Sequence, residues 1–382
     1  MTAVLNSTSV FERFLALRDR LTGNAGFRRW ASRFVLTRWV ARRHAKALFD
    51  LNTGFVYSQI LQACVRLDVF EILRPGPLSF TQLSLRLGLA PDKCRVLMRA
   101  AESIQLLETR AHSGDEPFYG LGFLGAALLD NPAVLGMVRH HALFYRDLVD
   151  PVALLRGESQ PTLKQYWAYS GTDPSEVKGP QAQEVASYSE LMSASQVFVS
   201  DQVIDVYPFQ KHHVVLDIGG GEGTFIRSVM AQHPGIKGWV MDLPAVAERA
   251  EIAMKRTMPD RDWQVFSGDF RTTPLPIGAD LITLVRVAHD HDDEIVQPLL
   301  NNIFNALSAK GALLIAEPLA KTPGAEAMGN GYFGMFFLAM GSGRPRSFLE
   351  LKAMLLKAGF KSVRQIKTAI PLQTSVIVAE RH

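Results

Sequence analysis

The sequence predicts an α/β fold: a parallel β-sheet covered by helices on both faces, behind a mostly helical N-terminal region. Three observations carry this reading. After residue 212 short apolar runs alternate with helical patterns, the first run opens into a glycine-rich loop, and upstream a helix–turn–helix pattern precedes a further apolar run. Strand–helix alternation of this kind argues for parallel strands joined by crossover helices.

The strands read in order as HVVLDIGGGEG, GWVMDLP, DWQVFSGDF, ADLITLVRV and GALLIAEPL. Ligands in such sheets bind at the carboxyl ends of the strands. Those ends hold residues 217–223, Asp242, Asp269, residues 286–289 and Glu317. Between Ile295 and Leu307, apolar residues recur at helical spacing, so the segment after the fourth strand is a helix.

Upstream, the apolar segment 55–73 is broken by Pro75-Gly76-Pro77. Ser79 is placed to cap the next helix, Gly88 marks a turn, and Pro91 or Asp92 opens a second helix over roughly 92–106. With PFYGLGFLGAALL behind it, this reads as a winged helix. Lys93, Arg95 and Arg99 lie on the second helix, while Val96, Leu97 and Leu107 dominate its expected buried pattern. That pattern favours an interaction role over DNA reading. Residues 131–200 read as mostly helical, interrupted by RGESQPT and SGTDPSEVKGP.

The N-terminus has its own character. Between Phe11 and Lys46 lie nine arginines and one lysine, opposed only by Glu12 and Asp19 and interleaved with Phe14, Phe27, Trp30, Phe34 and Trp39. A basic, aromatic, amphipathic arm of this composition suits three roles. It can pack on its own domain or on a second subunit, lie on an anionic membrane surface, or contact nucleic acid.

The 382 residues carry a net charge of +4, with 47% apolar and 20% charged residues, an ordinary balance for a globular protein. No run of about 18 apolar residues predicts a membrane-spanning helix, and MTAVLNSTSVFERF lacks the core of a secretory signal. Cys64 and Cys94 are the only cysteines, which argues against a disulfide framework or a thiolate zinc site and for a reducing cytoplasm.

The loop from Asp217 to Thr224, DIGGGEGT, lacks the Lys-Ser/Thr pair of a P-loop, and Thr224 stands where a dinucleotide fingerprint needs its third glycine. The acids say more. Asp217 precedes the loop and Glu222 lies within it, so a pyrophosphate there would meet two negative charges, whereas a cation would be attracted. Asp242 stands where an acid binds ribose hydroxyls, and Asp269-Phe270 can offer an acceptor and a ring to adenine. A ligand with a ribose, an adenine, a cationic centre and no phosphate is S-adenosylmethionine. Taken singly, each of these acids could equally cap a helix.

The stretch VRVAHDHDDE has two readings. His289, His291 and Asp293 have the spacing of a metal site, but no second ligand motif accompanies them. Alternatively His289 is a lone base, and Asp290 or Asp292 caps the following helix while Asp293 and Glu294 favour its positive end. The second reading is preferred, and no metal is expected.

The series VVLDIGGGEGTF, MDLP, SGDF, LVRVAHDHDDE and LLIAEP resembles the motifs of the S-adenosylmethionine-dependent O-methyltransferases, which include the plant phenolic enzymes and hydroxyindole O-methyltransferase. The resemblance spans 50–382. The basic N-terminus with ALFDLNTGFVYSQILQACVRLDVFEIL is similar, more narrowly, to the carotenoid enzymes of purple bacteria. The resemblance implies a Rossmann-like class I methyltransferase sheet, mostly parallel and seven-stranded, with an N-terminal helical winged-helix dimerisation domain. It divides the chain into a basic helical arm (1–50), a dimerisation domain (51–185) and a catalytic domain (186–382).

It also implies roles. His289 matches the general base and Glu317 the acid that supports it. Cofactor contacts fall on Tyr188, Met192, Asp217, Gly219, Gly221, Asp242, Leu243, Asp269, Phe270 and Arg286. The glycine-punctuated stretch 328–343 contributes Tyr332, Met335 and Phe336 to an apolar acceptor slot. Two positions depart from the pattern: His291 replaces the usual tryptophan, and GSGRPRS lacks the second acid that orients the base in plant enzymes. The implied activity is methylation of a hydroxycarotenoid by a homodimer in the cytoplasm, at the surface of the inner or photosynthetic membrane, without nucleic acid. Other acceptors, a tetrapyrrole or a polyketide phenol, remain open, as does a non-catalytic winged-helix binding protein.

Overall fold

The computed structural model describes residues 10–164, 196–371 and 373–381. The chain divides into two compact units, Met1–Ala127 and Leu128–His382.

In the first unit the basic segment is helical: α1 (Val10–Gly23), α2 (Ala25–Arg33) and α3 (Arg38–Arg66). Asn24 caps α2 by accepting from the Phe27 N–H. Phe27, Trp30 and Phe34 form a ladder with centroids 5.6 and 5.0 Å apart, the spacing that i, i+3 and i, i+4 positions share on a helix. Phe11, Phe14, Trp30, Phe34 and Trp39 are nonetheless exposed in the single chain.

After α4 (Val69–Leu73) comes a winged helix, built of β1 (Leu78–Ser79), α5 (Phe80–Leu87), α6 (Pro91–Ser103), β2 (Leu107–Ser113) and β3 (Glu116–Leu121), followed by α7 (Phe123–Ala126). Strands β1 and β2 both pair antiparallel with β3. Ser79 and Gln82 make a reciprocal capping box at the start of α5. The expected burial on α6 needs correcting. Val96 is 68% exposed, and the stripe turned inward is Cys94, Met98 and Ala101. These three recur at i, i+4 and i+7; Val96, two residues from both Cys94 and Met98, falls on the opposite face, and Leu97 is half-buried.

The second unit begins with α8 (Pro132–Asp147) and α9 (Pro151–Leu155). The sheet follows: β4 (Val214–Ile218), α10 (Thr224–Gln232), β5 (Lys237–Asp242), α11 (Pro244–Thr257), β6 (Trp263–Ser267), β7 (Leu281–Val285), α12 (Asp293–Ala306) and β8 (Ala312–Glu317). After α13 (Gly334–Met340) and α14 (Phe348–Ala358), β9 (Ser362–Ile366) and β10 (Ser375–Glu380) complete it. The order across the seven strands is β6-β5-β4-β7-β8-β10-β9. The first five strands are parallel, and β10 inserts antiparallel between β8 and β9.

Every residue of β7 and β8 is buried, as strands covered on both faces must be. One core lies between the sheet and the helices α12 and α14, around Leu284, Leu300, Leu351 and Ile377. The other packs α10 and α11 through Phe225, Val229, Ala250 and Met254. Edge strands β6 and β9 are correspondingly less buried.

The connection order reverses between β4 and β7: β5 and β6 lie to one side of β4, and β8 lies beyond β7 on the other. Loops leaving two such strands diverge to opposite faces and open a crevice at their carboxyl ends. Asp217 and residues 286–289 stand at that crevice.

Candidate active site

The glycine loop after β4 is held from both sides. Gly219 has φ +66°, its N–H donates to the Met241 carbonyl at 2.8 Å, and a Cβ there would meet the Val287 side chain at 2.8 Å. Both the left-handed backbone and the close approach of the loop after β7 therefore require glycine. The Gly221 N–H donates to Asp242 Oδ2 at 2.7 Å, and Asp242 Oδ1 accepts from the Leu243 N–H at 2.7 Å. Asp242 thus ties the first loop to the second. Burial raises its carboxyl above the ordinary range, against the pull of these two donors and Arg249.

Asp217 is fully buried. Its Oδ1 accepts from the Thr283 hydroxyl at 2.6 Å, while Oδ2 is buried with no hydrogen-bond partner. Burial pushes its pKa up to about 7, opposed by Thr283 and assisted by the charge of Asp242. A buried acceptor with nothing to accept from is costly; a cationic or N–H-bearing ligand at this strand end would satisfy it.

Asp269 is less committed to the crevice than the sequence reading implies. Its carboxylate forms a fork with the Arg271 guanidinium, with a closest contact of 2.5 Å, which holds its pKa low. Phe270 packs its ring against His291 with centroids 5.3 Å apart, nearly perpendicular. His291 is therefore an aromatic neighbour of Phe270. Arg286 adopts φ +59°, a left-handed conformation that a non-glycine residue holds only under constraint. Its N–H donates to the Ala316 carbonyl at 2.8 Å, bending the chain off β7.

His289 lies in the short 3₁₀ turn Ala288–Asp290 and is 4% exposed. Its Nε2 is 3.3 Å from Asp290 Oδ1, and its Nδ1 is buried without a hydrogen-bond partner. The expectation that Glu317 holds the ring is corrected by the geometry. Glu317 Oε2 accepts from the main-chain N–H of His289 at 3.0 Å and stands 4.0 Å from the ring Nδ1. Glu317 thus positions the turn rather than the imidazole.

Burial depresses the His289 pKa well below its ordinary value, reinforced by Arg286, Arg346 and His291. Burial likewise raises Asp290 well above the carboxylate range and pushes Glu317 up to about 7. Burial thus disfavours the imidazolium and favours the neutral ring, the form that can accept a proton.

The acceptor-side residues split into two groups. Phe333 and Phe337 face the His289 ring, at centroid distances of 6.2 and 5.0 Å. Tyr332 and Phe336 instead stack on each other and turn toward α8: the Tyr332 hydroxyl is 2.9 Å from His141 Nε2, and Phe144 packs edge-on against both rings. Met335 packs against the same cluster. Phe333 and Phe337 belong to the stretch 328–343 read as the acceptor slot, whereas the α8 residues His141 and Phe144 were not among the expected site residues. Phe333 and Phe337 do lie four apart, the spacing of one helical face. Tyr188 and Met192 fall outside the described residues.

The trio His289, His291 and Asp293 does not converge. His291 faces Phe270, and Asp293 receives Arg344 and Arg346 at 2.8 and 2.6 Å. Asp292 occupies the N-cap position of α12, but its side chain accepts from the Gly343 N–H at 3.1 Å rather than from its own helix. Among the described residues, no three histidine, cysteine or acidic side chains are grouped as a metal site.

A crevice at the reversal between β4 and β7, acids at successive strand ends and an antiparallel last strand define a Rossmann-like methyltransferase fold. Residues 145–361 match the O-methyltransferase domain model, and residues 49–131 match the O-methyltransferase dimerisation domain model. The chain is 41% identical over 353 residues to demethylspheroidene O-methyltransferase of Rhodobacter capsulatus, covering 91% of this chain and 85% of that one. It is 35% identical to the enzyme of the same name from Cereibacter sphaeroides, covering 95% and 94%. Human N-acetylserotonin methyltransferase, solved with S-adenosylmethionine, superposes with a TM-score of 0.70 at 24% identity, over 88% of this chain and 97% of that one. The chain belongs to the S-adenosylmethionine-dependent O-methyltransferase family, and it carries that family's dimerisation domain.

Proposed function

We propose that this O-methyltransferase methylates a hydroxyl of an apolar acceptor of the hydroxycarotenoid class, with His289 as the general base. The observation that carries the acceptor class is the 41% identity, over most of both chains, to a demethylspheroidene O-methyltransferase. Asp217, Gly219, Gly221, Asp242 and Leu243 hold the donor at the ends of β4 and β5, with Asp242 at the ribose. Asp269 and Phe270 flank its adenine, and Arg286 closes the cofactor side. When bound, S-adenosylmethionine supplies an electrophilic methyl group on a sulfonium.

Tyr332, Met335 and Phe336 line the acceptor slot, together with Phe333 and Phe337 against the base. An apolar wall excludes water and fixes the acceptor oxygen near His289. The neutral imidazole takes the hydroxyl proton as the carbon–oxygen bond forms. For a poorly acidic alcohol, and with an imidazolium disfavoured by burial, the proton leaves during or after that step rather than before it.

The test offers labelled S-adenosylmethionine with demethylspheroidene, a simple phenol and a tetrapyrrole in turn. Label is expected in the carotenoid alone; turnover of the phenol or tetrapyrrole with the carotenoid untouched would overturn the acceptor assignment.

Such an acceptor resides in membrane. Among the described residues no helix is long and apolar enough to cross one, so the enzyme must meet the acceptor by another route. We infer that the arm α1–α3 lies on an anionic membrane surface. Its arginines supply charge, and the exposed Phe11, Phe14, Trp30 and Trp39 supply apolar contact. The full-length protein should sediment with phosphatidylglycerol vesicles and not with phosphatidylcholine vesicles. Reversing Arg28 and Arg29 to Glu should weaken that binding by about 30-fold or more, as a term of about 1 kcal/mol per basic residue requires. Binding to duplex DNA in place of vesicles would sink this reading.

A further inference from the structure

The chain lacks an acid in GSGRPRS, yet this stretch hydrogen-bonds the turn that carries His289. We propose that the segment from Ser342 to Arg346 is a clamp that positions His289 through its main chain, and that Arg346 is its central positioning residue. This rests on the reading of His289 as the base.

Four contacts build the clamp. The Arg346 guanidinium, 0% exposed, donates Nη1–H to the Ala288 carbonyl and Nη2–H to the His291 carbonyl, both at 2.7 Å, and so spans the turn from its first residue to the residue after it. The Arg344 N–H donates to the His289 carbonyl at 2.9 Å. The Ser342 hydroxyl donates to the Asp290 carbonyl at 2.8 Å. Gly343, with φ +84°, brings the two segments together; a Cβ there would lie 2.3 Å from the His289 carbonyl oxygen.

Each of the four carbonyls from Ala288 to His291 thus accepts a hydrogen bond from the clamp, and Glu317 takes the His289 N–H. Asp293 anchors Arg346 from the start of α12 at 2.6 Å. A buried arginine with satisfied donors keeps a fixed geometry, because its planar fork has few alternatives. The charge of Arg346 also bears on the imidazole, together with Arg286, His291, Asp290 and Glu317.

The test compares Arg346→Lys and Ser342→Ala, each in the wild-type and the His289→Ala backgrounds. Turnover of demethylspheroidene, S-adenosylmethionine affinity and the ¹⁵N titration of the His289 imidazole are read. In the wild-type background Arg346→Lys should lower kcat about 100-fold, the loss typical of an ångström-scale misplacement, and Ser342→Ala about fivefold to tenfold by the same principle. Cofactor affinity should stay within about twofold, and both variants should alter the His289 titration. In the His289→Ala background neither should lower kcat further.

Equal losses in both backgrounds, or unchanged kcat in a folded Arg346→Lys, would overturn the clamp and leave the base intact. Full turnover by His289→Ala alone would instead remove the base reading; the clamp is then judged on the imidazole titration, and no change in either variant overturns it. If Arg346→Lys does not fold, Ser342→Ala decides on the same criteria.

Discussion

His289→Ala is expected to lose between about 100-fold and 10,000-fold in kcat, the usual contribution of a positioned general base. Its dissociation constant for S-adenosylmethionine should be unchanged. The separation follows from placement. His289 stands beyond the end of β7 against Phe333 and Phe337, whereas Asp217 and Asp242 close β4 and β5. Single-turnover kinetics with bound cofactor distinguish a lost proton acceptor from a lost binding site. Retention of most turnover would mean that the acceptor hydroxyl gives its proton to water or to Asp290, 3.3 Å from the imidazole.

The second large effect concerns pH. Asp217, held near about 7 by burial, is largely neutral at pH 6 and ionised at pH 8. A cationic ligand favours the ionised form, so binding lowers the carboxyl's pKa and releases a proton wherever the free protein still holds one. Affinity for S-adenosylmethionine should therefore rise about tenfold from pH 6 to pH 8 and level off above, by proton linkage. Asp217→Asn should weaken binding by about 1.5–3 kcal/mol, the usual worth of a hydrogen bond to a charged group, and should flatten that slope. Isothermal titration in two buffers of different ionisation enthalpy measures both the affinity and the proton released. A slope that persists in Asp217→Asn would shift the effect to Glu317, which burial raises to the same region.

The sheet was legible because its code is local. Each of the five strands β4 to β8 is a short apolar run, and all but β7 end at or beside an acid or a glycine turn; β9 and β10 were not read from this pattern. The acids at Asp217 and Asp242 could be placed from that pattern alone. What could not be read depends on partners far along the chain. Whether Glu317 meets the imidazole of His289 or its N–H is decided by angstroms at the junction of β7 and β8. The fate of Asp293 depends on Arg344 and Arg346, some fifty residues on, and the clamp has no motif of its own.

The orientation of the aromatic stretch was hidden for a different reason. Residues Ala327–Phe333 form a π-helix that runs directly into α13. A wider turn shifts the phase of every side chain after it. A wheel drawn at 3.6 residues per turn therefore cannot tell that Phe333 and Phe337 look toward His289 while Tyr332 and Phe336 look toward α8. On α6 the error was simpler: a β-branched valine was taken as core, and the helix buries the small and flexible side chains beside it.

The place of β10 has a consequence for synthesis. It is the partner of β8, with Ser375 opposite Glu317 and Ala379 opposite Leu313, yet it is made some sixty residues later. Until residues 375–380 emerge from the ribosome, β8 is an open edge of apolar side chains, a template for pairing with other nascent chains. The strand that ends in Glu317 is therefore sealed only once residues 375–380 have been made.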